Sequence, residues 1–272
     1  MRRREFLAAS AAALGLAALK GTHAAAAEAA GAKQLLELRV YSFASAEKQA
    51  KFDEFLQMVA VPAYERAKVF PVGVWKMLQK DNGKMLPNGD STSLWVLMPY
   101  DSAEAMLTLE DKLAADVNYT ASGEKMNILN APPKDPAFTR FESTLMISFD
   151  QCPKVERPMS PRETRIMQLR CYESHTQEKH RKKVEMFNKG GEIAIFRRCG
   201  MNPVFFGDSL VGTKLPNLTY MLWFNDEAAQ KQGWAAFMKD PDWQKISKAD
   251  EYKDTVSNIT NIILRPTKSS QI

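Results

Sequence analysis

The segment Leu36-Glu37-Leu38-Arg39-Val40-Tyr41 recurs as Met167-Gln168-Leu169-Arg170-Cys171-Tyr172, 131 positions later. Further matches follow in the same order. Pro71-Val72-Gly73-Val74-Trp75 pairs with the stretch Pro203-Val204-Phe205-Phe206, and Ser93-Leu94-Trp95-Val96-Leu97 with Leu218-Thr219-Tyr220-Met221-Leu222. Tyr100-Asp101-Ser102-Ala103 pairs with Asn225-Asp226-Glu227-Ala228, and Ala115-Asp116-Val117-Asn118-Tyr119 with Lys239-Asp240-Pro241-Asp242-Trp243. Conserved order at a roughly constant offset marks a duplicated unit, and a duplicated unit must fold as two like modules.

Each unit reads as a strand, a helix, two strands, a helix and a strand. Leu36, Leu38 and Val40 alternate with Glu37, Arg39 and Tyr41, the period of a strand. Phe52, Phe55, Leu56 and Val59 then recur at helical spacing after a turn near Ser45. Short strands are expected over Val72 to Leu78 and Ser93 to Met98. A second helix should begin near Asp101, with Asp101 and Glu104 as its capping pair. In the second unit Asp240 stands as a cap directly before Pro241. Thr120 to Pro136, with Pro132, Pro133 and Pro136, is expected to be a long loop. The last strands are placed at Phe138 to Phe149 and Thr255 to Leu264. This βαββαβ order is the ferredoxin-like plan, an α+β fold. The boundaries that follow are a first unit over 33–150, a linker over 151–163 carrying Pro153, Pro158 and Pro161, a second unit over 164–266 and a tail over 267–272.

Residues 1–26 read differently. Arg2, Arg3 and Arg4 precede Glu5, Phe6 and Leu7, then an Ala/Leu run from Ala8 to Leu19 and small residues at Ala24 to Ala27. That is the order of a secretion signal, and Arg3-Arg4-Glu5-Phe6-Leu7 is similar to the twin-arginine motif. Export to the periplasm or beyond is expected, with no membrane attachment after cleavage. The run is too short to stay as a spanning helix. Cleavage near Ala26 removes four basic residues and one acid from totals of 37 and 32, so the net charge falls from +5 to +2. A nucleic-acid role thereby loses its electrostatic footprint.

The ordered set of motifs resembles the NIPSNAP family, and its exported bacterial members in particular. Glu37-Leu38-Arg39-Val40-Tyr41, Asp240-Pro241-Asp242-Trp243 and Asn261-Ile262-Ile263-Leu264-Arg265-Pro266 carry the resemblance. It implies a dimeric α+β barrel, in which two ferredoxin-like sheets meet with helices outside. The two halves could come from one chain or from a homodimer. Proteins sharing that barrel include small oxygenases and haem-handling enzymes, although fold does not transfer chemistry.

If the Leu face packs on the helices, Arg39, Tyr41, Arg170 and Tyr172 point into the barrel. Guanidinium forks and phenols there would hold a small anionic or aromatic ligand. The plainer reading pairs each Arg with an acid such as Glu37 or Glu142. His175 and His180 lie five apart, a poor metal spacing, and are expected on a solvated turn; no metal site is assigned. No cofactor is assigned, with haem left as an alternative. Cys171 shares the face of Leu169 and should pack as a small apolar group, while Cys152 and Cys199 could pair. No nucleophile with a base partner can be assembled. The leading expectation is a ligand-binding barrel, with an oxygenase or haem-handling enzyme as one alternative and a filled, partner-binding barrel as another.

Overall fold

The computed structural model describes residues 32–272, and the secretion signal assigned to 1–26 lies outside them. Strand β1 (Leu35–Ser42) is followed by Ser45, whose hydroxyl accepts from the Lys48 amide and starts α1 (Ala46–Phe55). The helix widens through one π turn (Leu56–Ala60) into α2 (Val61–Arg66). The widening falls just before Pro62, which has no N–H to offer the preceding turn. Then come β2 (Gly73–Lys76), the short α3 (Gln79–Asn82), β3 (Ser93–Tyr100), α4 (Ala103–Leu107), α5 (Leu109–Ala115), α6 (Val117–Lys125) and β4 (Arg140–Ser148). The second unit runs β5 (Ile166–Glu173), α7 (Gln177–Asn188), α8 (Glu192–Arg198), β6 (Asn202–Val211), β7 (Asn217–Phe224), α9 (Glu227–Lys239), α10 (Pro241–Ile246) and β8 (Asn258–Pro266).

Two local expectations change. The helix after β3 is capped by Ser102, which accepts from the Ala105 amide, rather than by Asp101. Thr120 to Lys125 is helical: Asp116 accepts from the Tyr119 amide and opens α6, so only the stretch beyond it is irregular. Asp240 caps α10 in the same way, accepting from the Asp242 and Trp243 amides.

The eight strands close in the order β1-β3-β2-β8-β5-β7-β6-β4. All pairs are antiparallel, and β2–β8 and β4–β6 join one copy to the other. Both halves of the barrel therefore come from one chain, and the interface a second chain would supply is satisfied internally. Closure also removes the free sheet edges each copy would otherwise expose.

The register settles which strand face is inside. Leu36, Leu38, Leu97, Met146, Met167, Leu169, Met221, Ile262 and Leu264, drawn from both copies, form one buried cluster with Trp75 and Phe205. This is the barrel interior. A Cβ on Gly73 would stand 2.0 Å from Trp75 Cη2, so the glycine lets that indole lie flat within the bore. Tyr41, Val74, Val96, Met98 and Tyr100 pack instead with helical Phe52, Phe55, Leu56 and Tyr64, outside the first half-barrel. Tyr172, Phe206, Tyr220 and Phe224 do the same with Phe187, Phe196 and Phe237 in the second. The expectation that Arg39, Tyr41, Arg170 and Tyr172 face the bore is thus reversed. A ring of aliphatic residues fills a narrow barrel with less cost than a ring of charges, which the outer face can partner and partly hydrate.

Candidate functional site

Pairing β1 with β3 and β5 with β7 gives a residue-by-residue correspondence between the copies. Leu38 pairs with Leu97 and Leu169 with Met221, so the offset is 131 on β1 and 124 on β3. The alignment read from sequence used 125 at β3, a slip of one residue that turns every side chain to the wrong face. With the register corrected, Ser102 matches Asp226, and both are helix caps. Asp116 matches Asp240, and each cap also pairs with an arginine, Arg66 or Arg198. These matched devices show that the copies share one architecture down to the caps.

Against that background the space between sheet and helices differs. In the second copy it is packed with rings. Phe196 stacks on Phe237 at 4.6 Å, Phe206 on Tyr220 at 5.1 Å, and Phe237 meets Trp243 at 4.4 Å. Trp234 closes the cleft, its indole N–H donating to Gln168 Oε1 at 2.7 Å. In the first copy the corresponding positions are Val74 for Phe206, Val96 for Tyr220 and Glu110 for Trp234. Val74 and Val96 are packed in the core, and Glu110 lines a cavity of about 590 Å³, floored by β1, walled by Phe52, Phe55, Tyr64 and Tyr119 and roofed by the segment from Ile128 to Phe141. That volume is in the range of small-molecule sites.

Arg39 and Tyr41 line this cavity, whereas Arg170 and Tyr172 lie in the filled cleft of the other copy. The four residues proposed as one site are therefore split between two places. Arg39 is paired with Glu37: Nη2 donates to Oε2 at 2.9 Å, and Nε stands 2.8 Å from Oε1 as a charge contact without hydrogen-bond alignment. Glu37 also accepts from Tyr100 at 2.8 Å and Ser143 at 2.7 Å. Burial alone would raise the Glu37 carboxyl, but Arg39, Ser143 and Tyr100 together hold it below the ordinary carboxylate range. Burial works against the Arg39 charge too, and Glu37 more than restores it. The pair is thus ionised and nearly neutral overall.

Tyr41 sits within 5.0 Å of Phe141 and 5.3 Å of Phe138, ring centre to ring centre, and the Arg39 guanidinium lies 5.5 Å over Phe141. Burial pushes the Tyr119 phenol up to about 12 and raises Tyr41 and Tyr64 as well, so these hydroxyls keep their protons at neutral pH and act as donors. Among the described residues no histidine or cysteine lines the cavity, so an axial ligand for haem drawn from them would have to be a tyrosine or a glutamate. Tyr64, Tyr119, Glu110 and the roof were not found from the sequence. The exchange of Trp234 for Glu110 was the available signal, and the one-residue slip concealed it.

In the second copy, Gln168 replaces Glu37 and Arg170 has no ion pair among the described residues; its guanidinium lies 4.8 Å over Trp234 and 5.1 Å over Tyr172. The buried pair Lys183–Glu192 is 3.1 Å apart, with the ammonium 4.8 Å from the Phe187 ring centre and 5.5 Å from that of Tyr172. His180 is buried and bonded to Asp208 at 2.7 Å, not on a solvated turn. The three cysteines are free, so Cys152 and Cys199 do not pair, and the Cys171 thiol is half-buried.

Residues 167–271 match the NIPSNAP family. No curated protein matches the chain in sequence. Among solved structures, a candidate monooxygenase from Fusobacterium nucleatum subsp. nucleatum ATCC 25586 is 8% identical, with 88% of this chain and 94% of that one covered at TM-score 0.54. One of the same description from Lactobacillus acidophilus NCFM is 11% identical, covering 86% and 94% at TM-score 0.52. A NIPSNAP-like domain protein from Burkholderia xenovorans is 20% identical over 40% of this chain and 90% of its own, with TM-score 0.36. At these identities the two full-length likenesses show a shared fold: two ferredoxin-like halves in one α+β barrel.

Proposed function

With its second copy a NIPSNAP domain over residues 167–271, we propose that this chain binds a planar aromatic molecule bearing a hydroxyl or carbonyl oxygen, in the cleft of its first copy. The observation that carries the reading is the contrast between copies: one cleft is packed with rings and closed by Trp234, and in its counterpart Glu110 stands at the matched position on the wall of an open cavity. Rings of Tyr41, Phe52, Phe138 and Phe141 offer faces and edges for stacking. Arg39 has N–H groups beyond those turned to Glu37, and the protonated phenols add donors, so the ligand should bring an acceptor oxygen. Because Glu37 cancels the Arg39 charge and Glu110 also lies 3.9 Å from Arg39 Nη2, a neutral oxygen fits better than an anion.

The test uses 2-naphthol as probe, followed by its fluorescence on titration with the protein. Saturable binding should weaken at least tenfold in Glu110→Trp, which installs the residue of the filled copy. Unchanged affinity in Glu110→Trp and in Arg39→Met, with native circular dichroism in both, would sink the proposal. Oxygen uptake recorded in the same titration separates the oxygenase reading from binding alone. Turnover that disappears in Glu110→Trp would put catalysis in this cleft.

We place the site of action outside the cytoplasm, on the strength of Arg3-Arg4-Glu5-Phe6-Leu7 and the Ala/Leu run after it. Replacing Arg3 and Arg4 by Lys should hold the protein in the cytoplasmic fraction. Export unaffected by that change would refute twin-arginine transport.

A further inference from the structure

The bore of the barrel is filled for most of its length, but not at one end. Inward-facing positions change from apolar to polar in layers along the strands. Leu38, Leu169 and Ile262 form a floor. The next layer outward holds Val40, Trp95, Cys171, Thr219 and Thr260, matched by the pairings Val40–Trp95, Cys171–Thr219 and Cys171–Thr260. The loop between β6 and β7 brings Lys214 over the rim. The space enclosed is about 290 Å³, and it shares no lining residue with the cleft under the helices.

Two features of this cup are not explained by folding. The Trp95 indole Nε1 is buried and has no hydrogen-bond partner among the described residues. A buried donor left without an acceptor is destabilising, so a group from outside the chain is the natural complement. Lys214 leans across the opening, its Nζ donating to Thr260 Oγ1 at 3.1 Å and lying 4.0 Å from Glu173 Oε1. That Glu173 oxygen already accepts from Asn258 Nδ2 at 2.7 Å. Lys214 thus has donors to spare, on a side chain half in solvent.

We propose that this end of the bore is a second binding site, for a short-chain aliphatic monocarboxylate. The alkyl part would rest on Leu38, Leu169 and Ile262, and the carboxylate would take hydrogen bonds from Lys214, Thr260 and the Trp95 indole. Cys171 stays a neutral thiol, since burial raises it, and so does not repel an anion. Glu142 lines the opening and Glu173 stands beside Lys214, and they disfavour a second negative charge on the ligand.

The experiment follows the Trp95 indole N–H in the full chain labelled with ¹⁵N-tryptophan, its signal assigned by its loss in Trp95→Phe. The probe is isovalerate, with isopentanol and glutarate as comparisons. Isovalerate should shift the signal saturably. Lys214→Met should weaken that binding about tenfold or more, as expected for loss of a charged hydrogen bond. Isopentanol and glutarate should each bind at least about tenfold more weakly than isovalerate. Arg39→Met, which belongs to the other cleft, should leave the titration unchanged. The proposal is overturned if isovalerate gives no saturable shift, if Lys214→Met binds as tightly as the parent, or if isopentanol binds as well as the carboxylate. Lys214 lies on a half-exposed loop, so its replacement does not put the fold at risk.

Discussion

Replacing Glu37 by Gln isolates the electrostatics of the candidate cleft, because Gln is the residue the second copy carries at the matched position, Gln168. The Glu37 and Arg39 side chains are 11% and 12% exposed, so the pair is largely, though not fully, withdrawn from water. Breaking a fully buried pair costs about 3–5 kcal/mol by leaving one charge uncompensated. Gln retains an acceptor oxygen for Tyr100 or Ser143, and the adjoining cavity lets water reach Arg39. The expected loss is therefore about 2–3 kcal/mol, below the fully buried case. For a domain of this size that corresponds to a fall of about 4–12 °C in the melting temperature. Urea denaturation of the single and double variants forms the assay. In an Arg39→Met background the same Glu37→Gln change should cost under about 1 kcal/mol, since no orphaned charge remains. The pH dependence has a definite sign. Glu37 ionises more readily folded than unfolded, so its contribution is complete above the unfolded carboxyl value of about 4.3 and is lost as pH falls through the lower folded value. Glu37→Gln should flatten that acid limb. Equal costs in the two backgrounds, or an unaltered acid limb, would refute the reasoning.

In the filled cleft, Phe237→Ala should cost about 3–5 kcal/mol, because Phe237 is buried among Phe196, Trp234 and Trp243; Phe138→Ala, at a 38% exposed position beside the open cavity, should cost less than half as much by the same denaturation assay. Asp240→Ala removes a cap and the Arg198 fork together and should destabilise by about 1–2 kcal/mol in thermal melts. The Asp240 carboxyl is held down to about 2, with the Arg198 hydrogen bonds the largest cause, so this contribution is present above about pH 4 and disappears as pH falls toward 2. Cys152 is fully buried with its thiol pushed up to about 12, and Cys199 is half-buried at the end of a helix. Under native conditions a thiol reagent at pH 8 should modify Cys199 well before Cys152, as peptide mass mapping would show.

The duplication, the βαββαβ order and the strand alternation were all present in the residues themselves, because period and order are local properties. So were the turn near Ser45, the cap at Asp240, and the helical face of Phe52, Phe55, Leu56 and Val59. The Asp116 cap was visible only by analogy, since Val117 stands where the second copy has the helix-starting Pro241. What the chain alone could not decide was which side of β1 and β5 faces inward. An alternating strand has two faces, and the choice between them is made by packing against strands far away in sequence. Eight strands closing on one another left room inside for Leu38, Leu169 and their neighbours, and turned Arg39 and Arg170 outward, beneath separate helices. The contrast between the two clefts is likewise tertiary. It follows from the pairing register, which brings Val74, Val96 and Glu110 to the places held by Phe206, Tyr220 and Trp234. No local pattern reveals that Glu110 stands on the wall of a cavity whose floor and roof come from segments far away in the chain.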